Sequence, residues 1–323
     1  MKRVMKLMLS WLILVHGGVN AQEASTERHD GDGERLKVLA CQVALEGAGF
    51  SAGLLDGVLG QKTETAVRAF QQVARQNVTG KLDEPTLSAL NVLPERSIAA
   101  YTITAEDEHQ VSYCPADWLE RSQRERLLYP SLANMLAEKF HTSERCLAWL
   151  NPSVDLSRLK AGDSIVAPAP RDRGVAKAPA TIEIDLERKL VLLFDAGSSL
   201  QGLLHCSVAK DLSAVERGES SVGTVVEEPG YTFDPKKWPE VKDVDRKLSI
   251  PPGPRSPVGL RWIGLDRPGV GIHGTPEPQN IGKTGSHGCF RLTNWDVVYL
   301  ASVVKVGTKV RIVDRSSWGQ SPF

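Results

Sequence analysis

The chain has 323 residues, of which 41% are hydrophobic and 24% are charged, with 39 basic and 39 acidic side chains. These fractions are those of a globular protein, and the length predicts two or three domains. The formal net charge of zero argues against a nucleic-acid-binding protein and against electrostatic docking on a membrane surface.

The first 21 residues have the pattern of a cleaved secretory signal. A basic start is followed by an apolar run over residues 7–15 and by a small-residue cleavage site at Val19-Asn20-Ala21. The apolar run is too short to cross a bilayer, and no cysteine follows the cleavage site as a point of lipid attachment. The sequence therefore predicts export to the periplasm without a stable membrane anchor. Residues 22–34 are predicted to be a polar linker.

Residues 35–95 are predicted to form a small all-α domain of three helices. Apolar residues recur at helical spacing in two stretches, which are Leu36, Leu39 and Val43, and then Ala66, Phe70 and Val73. Thr63 is a candidate N-cap of the second helix, and Asp83 before Pro85 is expected to open the third.

The same stretch resembles the peptidoglycan-binding three-helix module. The motifs that carry the resemblance are Asp56-Gly57, the step from Gly60 to Thr63, Ala66-Val67, Phe70-Gln71 and Thr79-Gly80. The resemblance implies binding to the cell wall. The alternative is a helical bundle that binds no ligand.

Residues 100–170 predict a small α+β module made of a strand, two helices and a second strand. The elements are expected near residues 101–104, 132–140, 147–150 and 159–168. This order, with Asn151-Pro152 and the closing turn, resembles the LysM carbohydrate-binding fold. The usual Gly-Asp-Thr-Leu start of that family is missing, and residues 106–130 look like an insertion. The resemblance implies glycan binding, and the alternative is a degenerate spacer.

Residues 180–314 change to a pattern of short strands, which predicts a mostly β domain. Strands are expected at residues 181–185, 190–194, 203–208, 260–265 and 310–313. One helix is expected near residues 295–304, with Thr293 or Asn294 as its cap. Residues 231–257 contain six prolines, and a long proline-rich insertion is typical of a lid or binding loop.

One window of this domain contains a thiol, two imidazoles and several glycines. It consists of Ile272-His273-Gly274-Thr275 and, after a loop, the run from Gly285 to Leu292, in which Cys289 lies sixteen residues after His273. A cysteine nucleophile needs a base to take its proton and backbone N–H groups directed at the oxyanion. Glycine beside the cysteine lets the backbone approach a substrate carbonyl, because it has no Cβ. A loop this short costs little to close, so the two side chains can meet at the ends of neighbouring strands.

With these motifs, residues 180–314 resemble the L,D-transpeptidase catalytic domain of the YkuD family. The resemblance implies a mostly β, sandwich-type fold with one helix after the cysteine motif, and an acyltransferase that acts on peptidoglycan. The implied catalytic residues are Cys289 as nucleophile, His273 as proton donor and acceptor, Gly274 as the residue whose carbonyl orients it, and His287 and Gly288 as the oxyanion site.

Three further residues are predicted to contact substrate. Arg291 stands where many members of the family have arginine, and its guanidinium would pair with a stem-peptide carboxylate or form a structural salt bridge. Tyr231 and Trp238 of the proline-rich stretch could flank the substrate groove. Trp262 could do so too, although ordinary packing is the stronger expectation for it.

The five cysteines are an odd number for an exported chain, and Cys289 is the natural unpaired thiol. Cys114 and Cys146 lie in the same segment and are the strongest candidates for a disulfide. The alternative is that these two, with Cys41 and Cys206, are all reduced and partly buried, because sequence does not determine connectivity.

The predicted reaction is acylation of Cys289 by a stem peptide with release of D-alanine, followed by attack of an amine acceptor on the thioester. The partners would be stem peptides and glycan, with another stem, a free D-amino acid or a wall-attached lipoprotein as acceptor. This chemistry needs no metal and no nucleotide cofactor. The alternatives are an L,D-carboxypeptidase or hydrolase, in which water is the acceptor, and a wall-binding protein with a catalytically dead domain.

A zinc site is a further alternative. The residues that could supply its nitrogen and sulfur ligands are His205, Cys206, His273, His287 and Cys289. Their spacing matches no common zinc pattern.

Overall fold

The computed structural model describes residues 30–173, 178–238, 241–285 and 288–315. The predicted signal segment lies outside the described residues, as does His287. Within the part of the chain that is described, no helix is long and apolar enough to cross a bilayer.

Three helices form the N-terminal module, namely α1 (Asp30–Gly47), α2 (Gln61–Val73) and α3 (Glu84–Ala89). Leu39 and Val43 of α1 are fully buried, as their spacing predicts, and Ala66 of α2 is fully buried as well. Asp83 caps α3, because its side chain accepts a hydrogen bond from the Thr86 N–H.

Two details of the predicted second helix are wrong. The helix begins after Gly60, so Thr63 lies inside it and accepts a hydrogen bond from Gln42 Nε2 at 3.1 Å. Val73 is 44% exposed, because the helix ends at this residue and no neighbouring element covers it.

The middle module has the predicted order of strand, two helices and strand. β1 (Ile98–Thr102) and β2 (Ser164–Pro168) pair antiparallel, and α6 (Leu132–Lys139) and α7 (Glu144–Leu150) pack on them. The predicted insertion contains two more short helices, α4 (Ala105–His109) and α5 (Trp118–Ser122). The resemblance of this module to LysM stays a prediction.

The remaining elements form the mostly β domain. They are β3 (Thr181–Asp185), β4 (Leu190–Phe194), β5 (Leu200–His205), β6 (Gly218–Glu227), β7 (Tyr231–Phe233), β8 (Leu248–Ile250), β9 (Arg261–Leu265), β10 (Gly271–His273), β11 (Phe290–Arg291), α8 (Asn294–Val303) and β12 (Lys309–Val313). Thr293, one of the two predicted caps of α8, accepts a hydrogen bond from the Asp296 N–H. β7 and β8 pair only with each other among the described strands, and with residues 234–238 they are called the lid below.

The other eight strands form one curled sheet, in the order β11-β10-β9-β6-β12-β3-β4-β5. β6 is ten residues long and pairs with β12 through its first half and with β9 through its second half, with a bulge between Val222 and Thr224. Beyond β5, Ser207 reaches the opposite edge and exchanges backbone hydrogen bonds of 2.8 and 2.9 Å with Arg291 of β11. The prediction of a sandwich of two sheets is therefore corrected, because β6 joins both halves into a single sheet around one core.

The three modules meet at a buried charge network beside α8. Arg173 Nη2 lies 2.5 Å from Asp296 Oδ1 and 3.5 Å from Glu46 Oε2. Asp296 also accepts a hydrogen bond from Ser51 Oγ, and His141 Nδ1 lies 2.6 Å from Glu46 Oε1. Burial opposes the ionisation of Glu46, but His141 and Arg173 together hold its pKa below the ordinary value. The buried carboxylates of Glu46 and Asp296 are therefore stabilised by the cationic side chains beside them.

Replacing Arg173 by methionine is expected to lower the free energy of unfolding by about 3–5 kcal/mol, because Glu46 and Asp296 would stay buried without their cation. The midpoint of urea denaturation measures the loss. As a control, Lys37→Met removes an ion pair with Glu34 whose side chains are 73% and 71% exposed, and should change stability by less than about 1 kcal/mol. Equal effects of the two substitutions would contradict the prediction.

None of the five cysteines forms a disulfide in the structure. The predicted Cys114–Cys146 disulfide is not formed, and the alternative of four reduced cysteines applies. Cys146 is fully buried in α7, with its Sγ 3.6 Å from the Leu55 carbonyl oxygen, whereas Cys114 lies half-buried in the insertion. Residues of the insertion pack both on the lid and on the core of the middle module that contains Leu147 of α7.

Candidate active site

Strands β10 and β11 bring the two predicted motifs side by side. They pair in parallel, with Ile272 opposite Phe290 and His273 opposite Arg291. Cys289 immediately precedes β11, so the parallel pairing brings Cys289 and His273 to neighbouring strands at the edge of the sheet.

The imidazole of His273 is buried and has a fixed tautomer. The side chain is 7% exposed, and Nδ1–H donates to the Gly274 carbonyl oxygen at 2.7 Å. In a neutral imidazole this bond leaves Nε2 unprotonated and able to accept a proton. Burial, with a smaller contribution from the charge of Arg291, lowers the pKa of His273 to about 4 against the opposing effect of the Gly274 bond. His273 is therefore a neutral base at neutral pH.

The indole of Trp262 covers His273. The two residues are opposite each other in β9 and β10, with ring centroids 5.7 Å apart and ring planes at 14°. Two glycines leave room for the indole, because a Cβ on Gly271 would lie 2.6 Å from Trp262 Cζ2 and one on Gly264 would lie 2.9 Å from Trp262 Nε1. The sequence predicted ordinary packing for Trp262, and the structure places it against the candidate base. The two glycines at positions 264 and 271 are the feature of the sequence that could have indicated this contact.

Replacing Trp262 by alanine is expected to raise the pKa of His273 by at least about one unit toward its ordinary value, because the ring would gain access to water. Imidazole NMR signals followed from pH 3 to 8 measure the midpoint. Trp262→Phe keeps an aromatic ring over His273 and should hold the midpoint near its low value. An unchanged midpoint in Trp262→Ala would show that the indole is not what desolvates the base.

The thiol of Cys289 is half-buried beside the turn between β9 and β10. It donates to the Gly269 carbonyl oxygen, with 3.4 Å between Sγ and the oxygen. Burial raises the pKa of Cys289, and the backbone of Gly271 and the ammonium of Lys237 offset part of that effect. The thiol is therefore mostly protonated at neutral pH, and it needs a neighbouring base to become a nucleophile.

The residue before the thiol has an unusual backbone conformation. Gly288 has a φ of 131°, in the region that favours glycine, and no described atom lies within 4 Å of where its Cβ would be. Because no side chain fills this space, a substrate oxygen could come close to the backbone N–H groups here, as an oxyanion site requires. His287, its partner in the predicted oxyanion site, lies outside the described residues.

Arg291 supports the loop that leads to the thiol. Its Nη2 donates to the carbonyl oxygens of Thr284 at 2.7 Å and Gly285 at 2.6 Å. Its backbone also holds Ser207 at the closure of the sheet. The guanidinium thus positions the loop, and binding of a substrate carboxylate by Arg291 stays a prediction.

The lid supplies the two aromatic residues that were predicted to flank the substrate. Trp238 Nε1–H donates to the Tyr231 hydroxyl, with 3.2 Å between the heavy atoms. Burial raises the pKa of Tyr231, and the nearby charge of the Cys289 thiolate adds to the shift. The lid also carries Lys237, whose charge acts to lower the pKa of Cys289. This residue was not predicted as part of the site, although the sequence showed that the stretch is rich in lysine.

Asn294 connects the base to the middle module, whereas the sequence indicated it only as a candidate cap of α8. Its Oδ1 accepts a hydrogen bond from the Leu260 N–H, and a Cβ on Gly274 would lie 2.2 Å from that Oδ1. Its Nδ2 donates to both oxygens of Glu138, at 3.0 and 3.1 Å, and Tyr129 donates to the same carboxyl at 2.7 Å. The backbone that orients His273 therefore rests on a buried side chain of the middle module.

The zinc alternative gains no support from its two upstream residues. His205 Nε2 lies 3.2 Å from the Lys62 carbonyl oxygen, and burial lowers the pKa of His205 to about 4. Cys206 is fully buried in the core of the sheet. In the described ranges, no group of three or more His, Cys, Asp and Glu side chains could hold a metal ion.

Comparison with known proteins identifies two families. Residues 179–312 match the model of the L,D-transpeptidase catalytic domain, YkuD, and residues 34–90 match that of a peptidoglycan binding domain. The protein named as the L,D-transpeptidase YkuD of Bacillus licheniformis is 31% identical over 177 residues, which cover 55% of this chain and 90% of that protein. Its namesake in Bacillus subtilis is 31% identical over 179 residues, covering 55% and 92%.

Among solved structures, the L,D-transpeptidase of Xylanimonas cellulosilytica aligns with a TM-score of 0.35 at 16% identity, over 85% of this chain and 92% of that one. The assignment rests on the sequence relatives, which this chain spans almost completely. Two of the predicted resemblances, to the catalytic domain and to the peptidoglycan-binding module, are thereby confirmed. The chain belongs to the L,D-transpeptidase family.

Proposed function

We propose that the protein is a periplasmic L,D-transpeptidase that transfers peptidoglycan stem peptides through a thioester on Cys289. The observation that carries the proposal is the neutral imidazole of His273, with its Nδ1–H held by the Gly274 carbonyl, on the strand that pairs with the one that Cys289 precedes. Membership of the L,D-transpeptidase family supports the reaction class.

The first half-reaction acylates the enzyme. His273 Nε2 takes the thiol proton as Cys289 Sγ attacks the carbonyl carbon before the terminal D-alanine, and a C–S bond forms. The oxyanion of the tetrahedral intermediate faces the N–H groups around Gly288 and Cys289. The C–N bond then breaks, and His273 returns the proton to the amine of the departing D-alanine.

The second half-reaction transfers the acyl group. The acceptor amine loses a proton to His273 and attacks the thioester, so that an amide forms and the thiolate of Cys289 leaves and is reprotonated. The acceptors that we propose to compare are a second stem, a free D-amino acid and a wall-attached lipoprotein. The peptidoglycan binding domain supports a polymeric wall substrate, and the basic and apolar start of the sequence supports export.

Mass spectrometry of the mature protein mixed with tetrapeptide muropeptides tests the proposal. We expect three products, which are a cross-linked dimer, free D-alanine and a Cys289 adduct whose mass equals that of the stem without D-alanine. Trimmed monomer in place of dimer would support the carboxypeptidase alternative. Absence of all three products would overturn the proposal.

A further inference from the structure

The insertion of the middle module packs against the lid of the catalytic domain. The indole of Trp118, in α5, stacks on Phe233 of β7 with 4.2 Å between ring centroids and 23° between the ring planes. The same indole lies 6.2 Å from the ring of Tyr231 and 5.7 Å from that of Trp238. Together with apolar residues of β8 these rings form a separate hydrophobic cluster. Aromatic contacts of this geometry stabilise beyond the area that they bury.

The backbone of the insertion is joined to the segment that follows β8. The Leu127 N–H donates to the Pro252 carbonyl oxygen at 2.9 Å, and the Arg255 N–H donates to the Leu127 carbonyl oxygen at 3.1 Å. Gly253 lies between them with a φ of 133°, and a Cβ there would be 2.3 Å from the Leu127 oxygen. This close approach requires glycine, so the contact is specific to the local sequence.

Two arginines of the insertion reinforce the contact. Arg121 Nη2 donates to the Arg255 carbonyl oxygen at 2.6 Å, and the Arg121 guanidinium lies 5.3 Å from the centroid of the Trp118 ring. Arg126 forms a bidentate ion pair with Glu228, at the turn before β7. The insertion therefore holds the lid on both sides, at its entry and after its exit.

The lid carries two residues that interact electrostatically with Cys289. The charge of the Cys289 thiolate adds to the raised pKa of Tyr231, and the ammonium of Lys237 acts to lower the pKa of Cys289. Trp118 contacts both members of the hydrogen-bonded pair of Tyr231 and Trp238.

We propose that Trp118 is a positioning residue, through which the insertion of the middle module fixes the hydrogen-bonded pair of Tyr231 and Trp238 in the lid and so determines how tightly the donor stem binds. The part that concerns the donor stem rests on the proposed function. The middle module thereby acts on the catalytic domain within the same chain, in addition to any contact that it makes with the wall.

Hydrogen exchange of the full chain tests the positioning directly. In Trp118→Ala we expect exchange of β7 and β8 to rise at least about tenfold while β3, β4 and β5 stay unchanged, because contacts to the lid are lost and the sheet is not touched. Trp118→Phe should restore most of the protection. Leu119→Ala, at a neighbouring side chain that is 41% exposed, is the matched control and should leave the lid unchanged.

Kinetics then separate positioning from folding. We expect Trp118→Ala to raise KM for the tetrapeptide donor about tenfold with kcat within about threefold, since only binding is affected. If the alanine variant is insoluble, Trp118→Leu, which fills the space without a ring, provides the same comparison.

Equal exchange in the lid and in β3–β5 would overturn the proposal, because Trp118 would then stabilise the whole fold. An unchanged lid and an unchanged KM would overturn it too. If the exchange result holds but no stem peptide is turned over by any variant, the positioning stands and the proposed function fails.

Discussion

Replacing Cys289 by alanine is expected to abolish transfer of stem peptides, with a loss of at least about 10⁴-fold in kcat. Cys41, Cys146 and Cys206 cannot take its place, because they are buried and the pKa of each is raised by burial. Release of D-alanine measures the rate, and intact mass spectrometry measures the acyl adduct. Both signals should disappear together.

Cys114→Ala is the matched control for this substitution. Cys114 is half-buried like Cys289, but it lies in the insertion of the middle module. Its replacement should leave turnover within about twofold of the wild type, as expected for a site that makes no catalytic contact. Turnover by Cys289→Ala above about 1% of the wild-type rate would mean that another group accepts the acyl chain, and the assignment of Cys289 as nucleophile would be wrong.

Replacing His273 by alanine is expected to lower kcat/KM by about 10²–10⁴-fold at pH 7, the usual contribution of a general base. In the wild type the pKa of His273 is lowered to about 4, so the base is neutral above that pH. The profile of kcat/KM should therefore stay nearly flat from pH 8 to about pH 5. It should fall as the pH drops through about 4, where the imidazole gains its proton.

The variant should have a different profile. Without a base only the thiolate reacts, and burial raises the pKa of Cys289, so activity should rise about tenfold per pH unit through the neutral range. His109→Ala, at a surface histidine, is the control and should keep the flat profile. A flat profile in His273→Ala would assign the role of base to another residue.

The elements that were predicted well are those whose signal is local. The run from Leu190 to Phe194 forms a strand in which the residues on both faces are apolar, and its first four residues are buried. A short continuous apolar run of this kind is typical of a buried strand. Asp83 caps α3 and Thr293 caps α8, because a side-chain oxygen beside the first turn satisfies free N–H groups whatever the rest of the chain does.

The elements that were missed depend on partners far away in the sequence. β6 has a mixed burial pattern, since one half lies on β12 and the other on β9, so it gives no clean alternation. This strand was not predicted, and it is the one that joins the two halves of the sheet. The disulfide was wrong for a related reason, because the pairing of two cysteines depends on tertiary packing that proximity in the sequence does not determine.

The family, the order of the modules and the candidate thiol and imidazole could be predicted from the sequence, because short motifs carry them and their chemistry depends on residue type and spacing. The contacts of Trp262 with His273, of Asn294 with Glu138 and of Trp118 with the lid became visible only in the folded chain. Each of these contacts joins elements that are paired through strand register or module packing. Register and packing are fixed by the whole buried core, and no local stretch of sequence contains that information.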